Sequence, residues 1–130
     1  MIAVDSSTWV AFLEGDSGED SELLAKALQD RQVLMAPAVL TELLSAPQLP
    51  SAIAATLSEI PLIEVTDGYW ERAGALRGKV LAKRQKARLG DALIAQSCLD
   101  RGVPLLTRDR DFHAFSNIAR LNLVIPAAPS

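Results

Sequence analysis

The sequence predicts an α/β protein: a single domain over residues 1–130, folded as a three-layer sandwich around a central, mostly parallel sheet. Three observations lead there. Short apolar runs of strand length alternate with longer stretches of helical period. Ser, Thr, Asp, Pro and Gly stand at the joints between them. The chain has 130 residues, 49% of them hydrophobic, which suits one core without help from disulfides. No internal repeat, low-complexity tract or Gly/Ser linker marks a second domain.

Met1 to Val4 is a short apolar run that suits a buried strand. Asp5-Ser6-Ser7-Thr8 then offers helix-starting side chains before Trp9 to Leu13. Glu22 to Leu28 has helical spacing, Val33 to Ala36 reads as a strand, and Pro37 opens the next helix, where its missing N–H costs nothing. A short helix is expected near Ser51 to Leu57 and a strand over Leu62 to Val65. Asp67 is expected to cap a long helix carrying Trp70, Ala73 and Leu76, with basic residues on its outer side. Gly90 marks a break, and Asp91 begins a helix to about Arg101, stopped by Gly102 and Pro104. Pro104 to Thr107 and Leu121 to Ile125 complete the strands.

A single cysteine, Cys98, rules out an intrachain disulfide, and no apolar run is long enough to span a membrane. With no basic and apolar leader at the N-terminus, a soluble cytoplasmic protein is the expectation. The net charge of −3 conceals an asymmetry. Glu14 to Glu22 holds five acids and no base, whereas Glu71 to Gly90 holds seven bases against one acid. A basic block of that kind is either a solvated face or a track for a phosphate backbone.

The acids are more informative by position. Asp5 directly follows the first strand; Asp109, with Asp111 close behind, follows the strand ending at Thr107. Parallel sheets build ligand sites beyond the carboxyl ends of their strands. Asp is also a good helix cap, and that plainer reading stays open for each residue. Asp91 aligns at helical spacing with Ala95 and Cys98, on a side expected to face inward. Glu42 points away from the apolar side formed by Val39, Leu40, Leu43 and Leu44, toward a cleft or toward solvent. If these acids converge, two carboxylates about 5 Å apart repel by roughly 3 kcal/mol at an effective dielectric near 20. Such a cluster must take up protons or bind cations, and an oxygen-only donor set suits Mg²⁺ or Mn²⁺.

These residues carry a family resemblance. Ile2-Ala3-Val4-Asp5-Ser6-Ser7 resembles the start of PIN domains, especially VapC-type toxins. Gly90-Asp91-Ala92-Leu93-Ile94-Ala95, running on through Gly102 to Thr107-Arg108-Asp109-Arg110-Asp111-Phe112, resembles them more closely still. Ala36-Pro37-Ala38-Val39 through Glu42-Leu43 is similar to the family's second motif. The resemblance covers nearly the whole chain. It implies that Asp5, Glu42, Asp91 and Asp109 are the metal-binding acids, with Asp111 sharing or replacing the role of Asp109. It implies that Ser6 and Thr107 are hydroxyls that orient a carboxylate or water beside the metal. It further implies endonucleolytic RNA cleavage with Mg²⁺ (or Mn²⁺), a homodimer, and silencing by a cognate antitoxin protein. Arg84, Lys86 and Arg88, just before Asp91, then become candidates for holding RNA phosphates.

Other residues and other functions compete less well. His113 reads as a surface or packing residue, Cys98 as a small core residue, and Trp9 and Trp70 as core or subunit contacts. Ser6-Ser7-Thr8 lacks the glycines of a nucleophile elbow. A phosphohydrolase using Asp5 as nucleophile would need a second acid two residues on, where Ser7 stands. A non-catalytic RNA-binding protein of similar fold is the remaining alternative; it predicts RNA binding insensitive to carboxylate substitution.

Overall fold

The computed structural model describes residues 1–125 and has the expected α/β architecture. Four parallel strands, β1 (Ile2–Val4), β2 (Val33–Leu34), β3 (Leu105–Leu106) and β4 (Leu123–Val124), lie in the order β2-β1-β3-β4. Their registers pair Ala3 with Leu34 on one side and with Leu105 on the other, and Leu106 with Val124. Helices α1 (Ser6–Leu13) and α2 (Glu19–Gln29) connect β1 to β2. Helices α3 (Pro37–Leu44), α4 (Ser51–Glu59), α5 (Tyr69–Ala82) and α6 (Leu89–Arg101) lead from β2 to β3. A 3₁₀ turn (Arg110–Phe112) and α7 (His113–Ala119) lead on to β4.

Because β2 and β3 flank β1 on opposite sides, right-handed crossovers put the two sets of helices on opposite faces. The contacts agree: α1 packs on α2, while α5 packs on both α6 and α7. The strands are therefore covered twice and read as continuous apolar runs, with Ala3, Val4, Leu105 and Leu106 all fully buried. Trp9, Met35, Val39, Ile94, Phe112 and Phe115 fill the layers between sheet and helices.

Several local expectations are corrected. The segment Leu62 to Val65 is not a strand; a single bridge links Leu62 to Met35, and the Leu62 and Val65 side chains are exposed. Asp67 is not the cap of α5. Gly68 holds that position with φ 80°, and the turn is tied instead by Arg72, which donates to the Asp67 carbonyl at 2.7 Å and the Thr66 hydroxyl at 2.9 Å. The break before the next helix lies at 83–88 rather than at Gly90, so α6 starts at Leu89 with Asp91 already inside its first turn. Gly102 ends that helix as expected, in the left-handed conformation (φ 71°) that favours glycine. Trp9 is a core residue, whereas Trp70 is 63% exposed and belongs to no core. Cys98 is fully buried and His113 lies exposed at the start of α7. Among the described residues, no helix is long and apolar enough to cross a membrane.

Candidate functional site

The chain leaving β1 turns to α1 on one face, and the chain leaving its neighbour β3 turns to α7 on the other. That divergence opens a crevice beyond the carboxyl ends of the two central strands, the place where such sheets bind ligands. Asp5 sits on its floor. The residue's N–H donates to the Leu106 carbonyl (2.9 Å), continuing the β1–β3 ladder by one step and fixing Asp5 at the sheet edge. Although Asp5 occupies the N-cap position of α1, its carboxylate makes no capping bond. Instead Oδ2 accepts hydrogen bonds from Ser7 Oγ (2.7 Å) and Thr107 Oγ1 (2.9 Å). The hydroxyl of Thr107 in turn accepts the Asp109 N–H at 2.9 Å. One threonine thus links the acid after β1 to the acid after β3.

Asp109 does cap: its Oδ1 accepts the Asp111 N–H (2.9 Å) at the entry to the 3₁₀ turn. Asp91 enters from the first turn of α6, its residue only 9% exposed. Asp91, Asp109 and Asp111 each offer a carboxylate oxygen, all within 4.8 Å of one another. Asp5 and Glu42 lie outside that tightest group. Glu42, on α3, accepts a hydrogen bond from Ser6 Oγ (2.7 Å), and its Oε2 lies 3.7 Å from where a Cβ on Gly90 would stand. Glu42 is thereby brought over the start of α6.

The charges of Asp5, Asp109 and Glu42 are felt at Asp91. The Asp91 carboxyl is pushed up from its ordinary 3.8 to about 6, first by burial and then by the charges of Asp5 and Asp109, with Glu42 adding to them and Arg88 opposing. A helix N-terminus favours the ionised form by about 0.3–1 kcal/mol, so here burial and like charge outweigh the dipole. Asp91 Oδ2 is buried without a hydrogen-bond partner. A buried, unpartnered carboxylate oxygen beside two further acids is a costly arrangement for a metal-free chain and a ready one for a hard cation. The donor set fits Mg²⁺ or Mn²⁺: it consists of carboxylate and hydroxyl oxygens, with no cysteine or histidine among these residues.

Cations approach from the 83–88 segment. Lys86 Nζ lies 3.3 Å from Asp111 Oδ2 and Arg88 Nη2 lies 4.0 Å from it. The segment is a loop rather than the end of a basic helix, since α5 stops at Ala82 and Arg84 takes a left-handed φ of 57°. Arg77 holds it by donating from Nε to the Ala87 carbonyl at 2.8 Å. Arg84 forms no ion pair among the described residues, and the structure does not bring it to the acids as it brings Lys86 and Arg88.

Two groups of residues escaped the sequence reading. Ser6 orients a carboxylate, that of Glu42, while Ser7, which the sequence did not single out, takes Asp5. The acidic segment also proves to be partly internal: Asp20 is 3% exposed and accepts hydrogen bonds from Thr8 and Arg108. Its only sequence sign was an acidic block lacking any base of its own.

Comparison with known proteins agrees with this geometry. Solved structures share the fold over nearly the full length of both chains. VapBC2 from Rickettsia felis, bound to a promoter DNA fragment, superposes with a TM-score of 0.75 at 21% identity, over 98% of this chain and 100% of that one. A toxin–antitoxin complex from Klebsiella pneumoniae gives 0.73 at 18% identity, over 99% and 100%. VapBC-5 from Mycobacterium tuberculosis gives 0.67 at 20% identity, over 95% and 96%. No curated protein matches the sequence significantly. The PIN domain family model matches residues 2–119, which takes in every strand but β4 and all five of the acids described above. This chain belongs to the PIN domain family.

Proposed function

We propose that this chain is a metal-dependent endoribonuclease, one domain over residues 1–130, that serves as the toxin of a bacterial toxin–antitoxin pair. The observation that carries the reading is Asp91 itself, whose Oδ2 is buried without a partner and whose carboxylate offers an oxygen within 4.8 Å of oxygens of Asp109 and Asp111. Membership of the PIN family supports nuclease chemistry, and similar folds solved as toxin–antitoxin complexes support the biological role. The charge pattern supports a polyanionic substrate, because the loop cations stand beside the acids rather than on a remote face.

In this reading Asp5, Asp91 and Asp109 hold the ion, Asp111 shares the role of Asp109 from within the same tight group, and Glu42 contributes from α3. When bound, Mg²⁺ or Mn²⁺ supplies a Lewis acid that activates water and neutralises charge at a phosphodiester undergoing in-line displacement. The protein's own part is to fix the oxygens. Thr107 and Ser7 both donate to Asp5 Oδ2 and so fix the carboxylate's orientation; Ser6 steadies Glu42. Lys86 and Arg88 would release Asp111 and take backbone phosphates, with Arg84 adding charge further out. A cognate antitoxin, a second copy of the chain and a cytoplasmic setting complete the proposal. Exposed Leu13, Leu23, Leu44, Trp70 and Leu89 provide apolar surface for such protein partners.

The test is cleavage of end-labelled total RNA by the purified chain with Mg²⁺, with EDTA, and after Asp91→Asn. Cleavage by the unsubstituted chain with metal alone is the expected result. Equal cleavage by Asp91→Asn would place the chemistry elsewhere and end this reading.

A further inference from the structure

We infer that Arg108 is a positioning residue whose attachment to Asp20 and Asp16 aims its two neighbours, Thr107 and Asp109, into the acid cluster. The inference rests on the metal-nuclease reading above for its purpose, but the geometry stands by itself. Leaving β3 the chain bends at Arg108, and the hydrogen bonds on either side of the bend run in opposite directions. Thr107 reaches Asp5, Asp109 reaches Asp91, and Arg108 between them points the other way, to α1 and α2. There its Nε and Nη2 donate to the two oxygens of Asp20, both at 2.8 Å, and Nη1 donates to Asp16 at 3.0 Å. Thr8, fully buried on α1, donates to the same Asp20 at 2.9 Å.

The fit is tight on the far side as well. A Cβ on Gly18 would stand 2.9 Å from Asp20 Oδ1 and 3.4 Å from Arg108 Nη2, so a glycine leaves the room in which the fork closes. A bidentate guanidinium–carboxylate pair fixes direction as well as distance, which an ammonium cannot do. The Asp109 N–H to Thr107 and the Asp111 N–H to Asp109 are the next bonds along, so the fork governs the turn carrying both acids. Outer partners of this kind set the aim of ligands they never touch.

Removing Arg108 alone leaves Asp20 buried with its charge unanswered and risks unfolding, so the informative variants are Arg108→Lys and the double variant Asp20→Asn with Arg108→Met. Two readouts are made on each: amide hydrogen exchange across 107–112 in the metal-free protein, and Mn²⁺ affinity by titration. The expected result is exchange about tenfold or more faster at Asp109 and Asp111, and Mn²⁺ bound about 10–100-fold more weakly, in both variants. In the double variant the faster exchange stays confined to 107–112, with protection elsewhere lowered by no more than the fall in melting temperature accounts for. Unchanged exchange at 107–112 would overturn the inference, as would a loss there no larger than the loss spread through the molecule. Should the unsubstituted chain take up no Mn²⁺, the metal reading fails, while the exchange comparison still decides the role of Arg108.

Discussion

Asp91→Asn removes one charge from the acid cluster and keeps the side chain's size, and it should stabilise the metal-free protein. The folded chain holds the Asp91 carboxyl at about 6 against an ordinary 3.8. Between those values the folded state binds more protons than the unfolded one, so stability falls as pH rises. At ~1.4 kcal/mol per pH unit the ionised group costs about 3 kcal/mol by pH 7. An Asn amide relieves the charge but still needs partners in a buried place, so a gain of about 1–3 kcal/mol is expected, or roughly 4–12 °C in a chain of this size. Thermal melts in EDTA at pH 7.5 should show the variant above the unsubstituted chain, and melts at pH 4 should show the gap closing as Asp91 takes up its proton. Adding Mn²⁺ at about 100 times its Kd should raise the unsubstituted chain by about 2.7 kcal/mol and leave the variant unmoved. The order of stability then narrows or inverts. A variant less stable in EDTA at pH 7.5, or a Mn²⁺ response equal in both proteins, would refute the argument that Asp91 is strained by its neighbours for the sake of a cation.

Three further outcomes follow from the same geometry. Thr107→Val removes the donor to Asp5 and the acceptor of the Asp109 N–H, so differential scanning should register a loss of about 1–3 kcal/mol and Mn²⁺ titration a 10–100-fold weaker affinity, with Thr107→Ser restoring both. Replacing Lys86 and Arg88 together by Gln should weaken binding of a non-cleavable RNA and flatten its log–log salt dependence by about 1.4, two cations at ~0.7 each for single strands, as anisotropy would record. Cys98, fully buried and with its thiol pushed up to about 12 by burial, should resist a thiol reagent at pH 8 in the native chain and react at once in denaturant.

The parallel sheet and its crossovers were legible because their cause is local: apolar runs too short for helices, separated by Pro37, Gly102 and Pro104. What failed was decided at a distance. Leu62 to Val65 has strand residues, yet Leu62 alone finds a partner in Met35, so it forms a bridge and no more. Asp67 has a capping side chain, but Gly68 takes the cap and Arg72 secures the turn by reaching back from inside the helix. Trp70 precedes Ala73 and Leu76, but the buried face of α5 runs through Tyr69, Ala73, Leu76 and Val80, and Trp70 falls beside it, 63% exposed. Asp5, Asp91, Asp109 and Asp111 stood out by their positions after strands and at a helix start, whereas Glu42, inside α3, was assigned to the site only through the family resemblance. Of the hydroxyls on these acids, Ser6 and Thr107 were named through the resemblance, but Ser7 was not: nothing in composition separates it from Ser6, and only the turn between β1 and α1 sends one to Glu42 and the other to Asp5.

The two charge blocks illustrate why composition alone could not assign them. In the sequence the acidic block carries no assignment and the basic block is open between a solvated face and a phosphate track; in the fold each has members that meet the short loop after β3, on opposite sides of it. The acidic block supplies Asp16 and Asp20, which hold Arg108 on the far side of the β3 exit. The basic block supplies Lys86 and Arg88, which meet Asp111 on the near side. The consequences differ with burial. Asp20 is almost fully enclosed, and the Arg108 guanidinium beside it holds its carboxyl below the ordinary value, so that pair contributes stability at neutral pH that is lost as pH falls through the lowered value. Lys86 and Arg88 remain largely in water, where an ion pair is worth about 0–1 kcal/mol, so a phosphate can displace Asp111 at little cost. The loop from Thr107 to Asp111 is therefore anchored firmly on its Arg108 side and loosely paired on the side where the proposed substrate would enter.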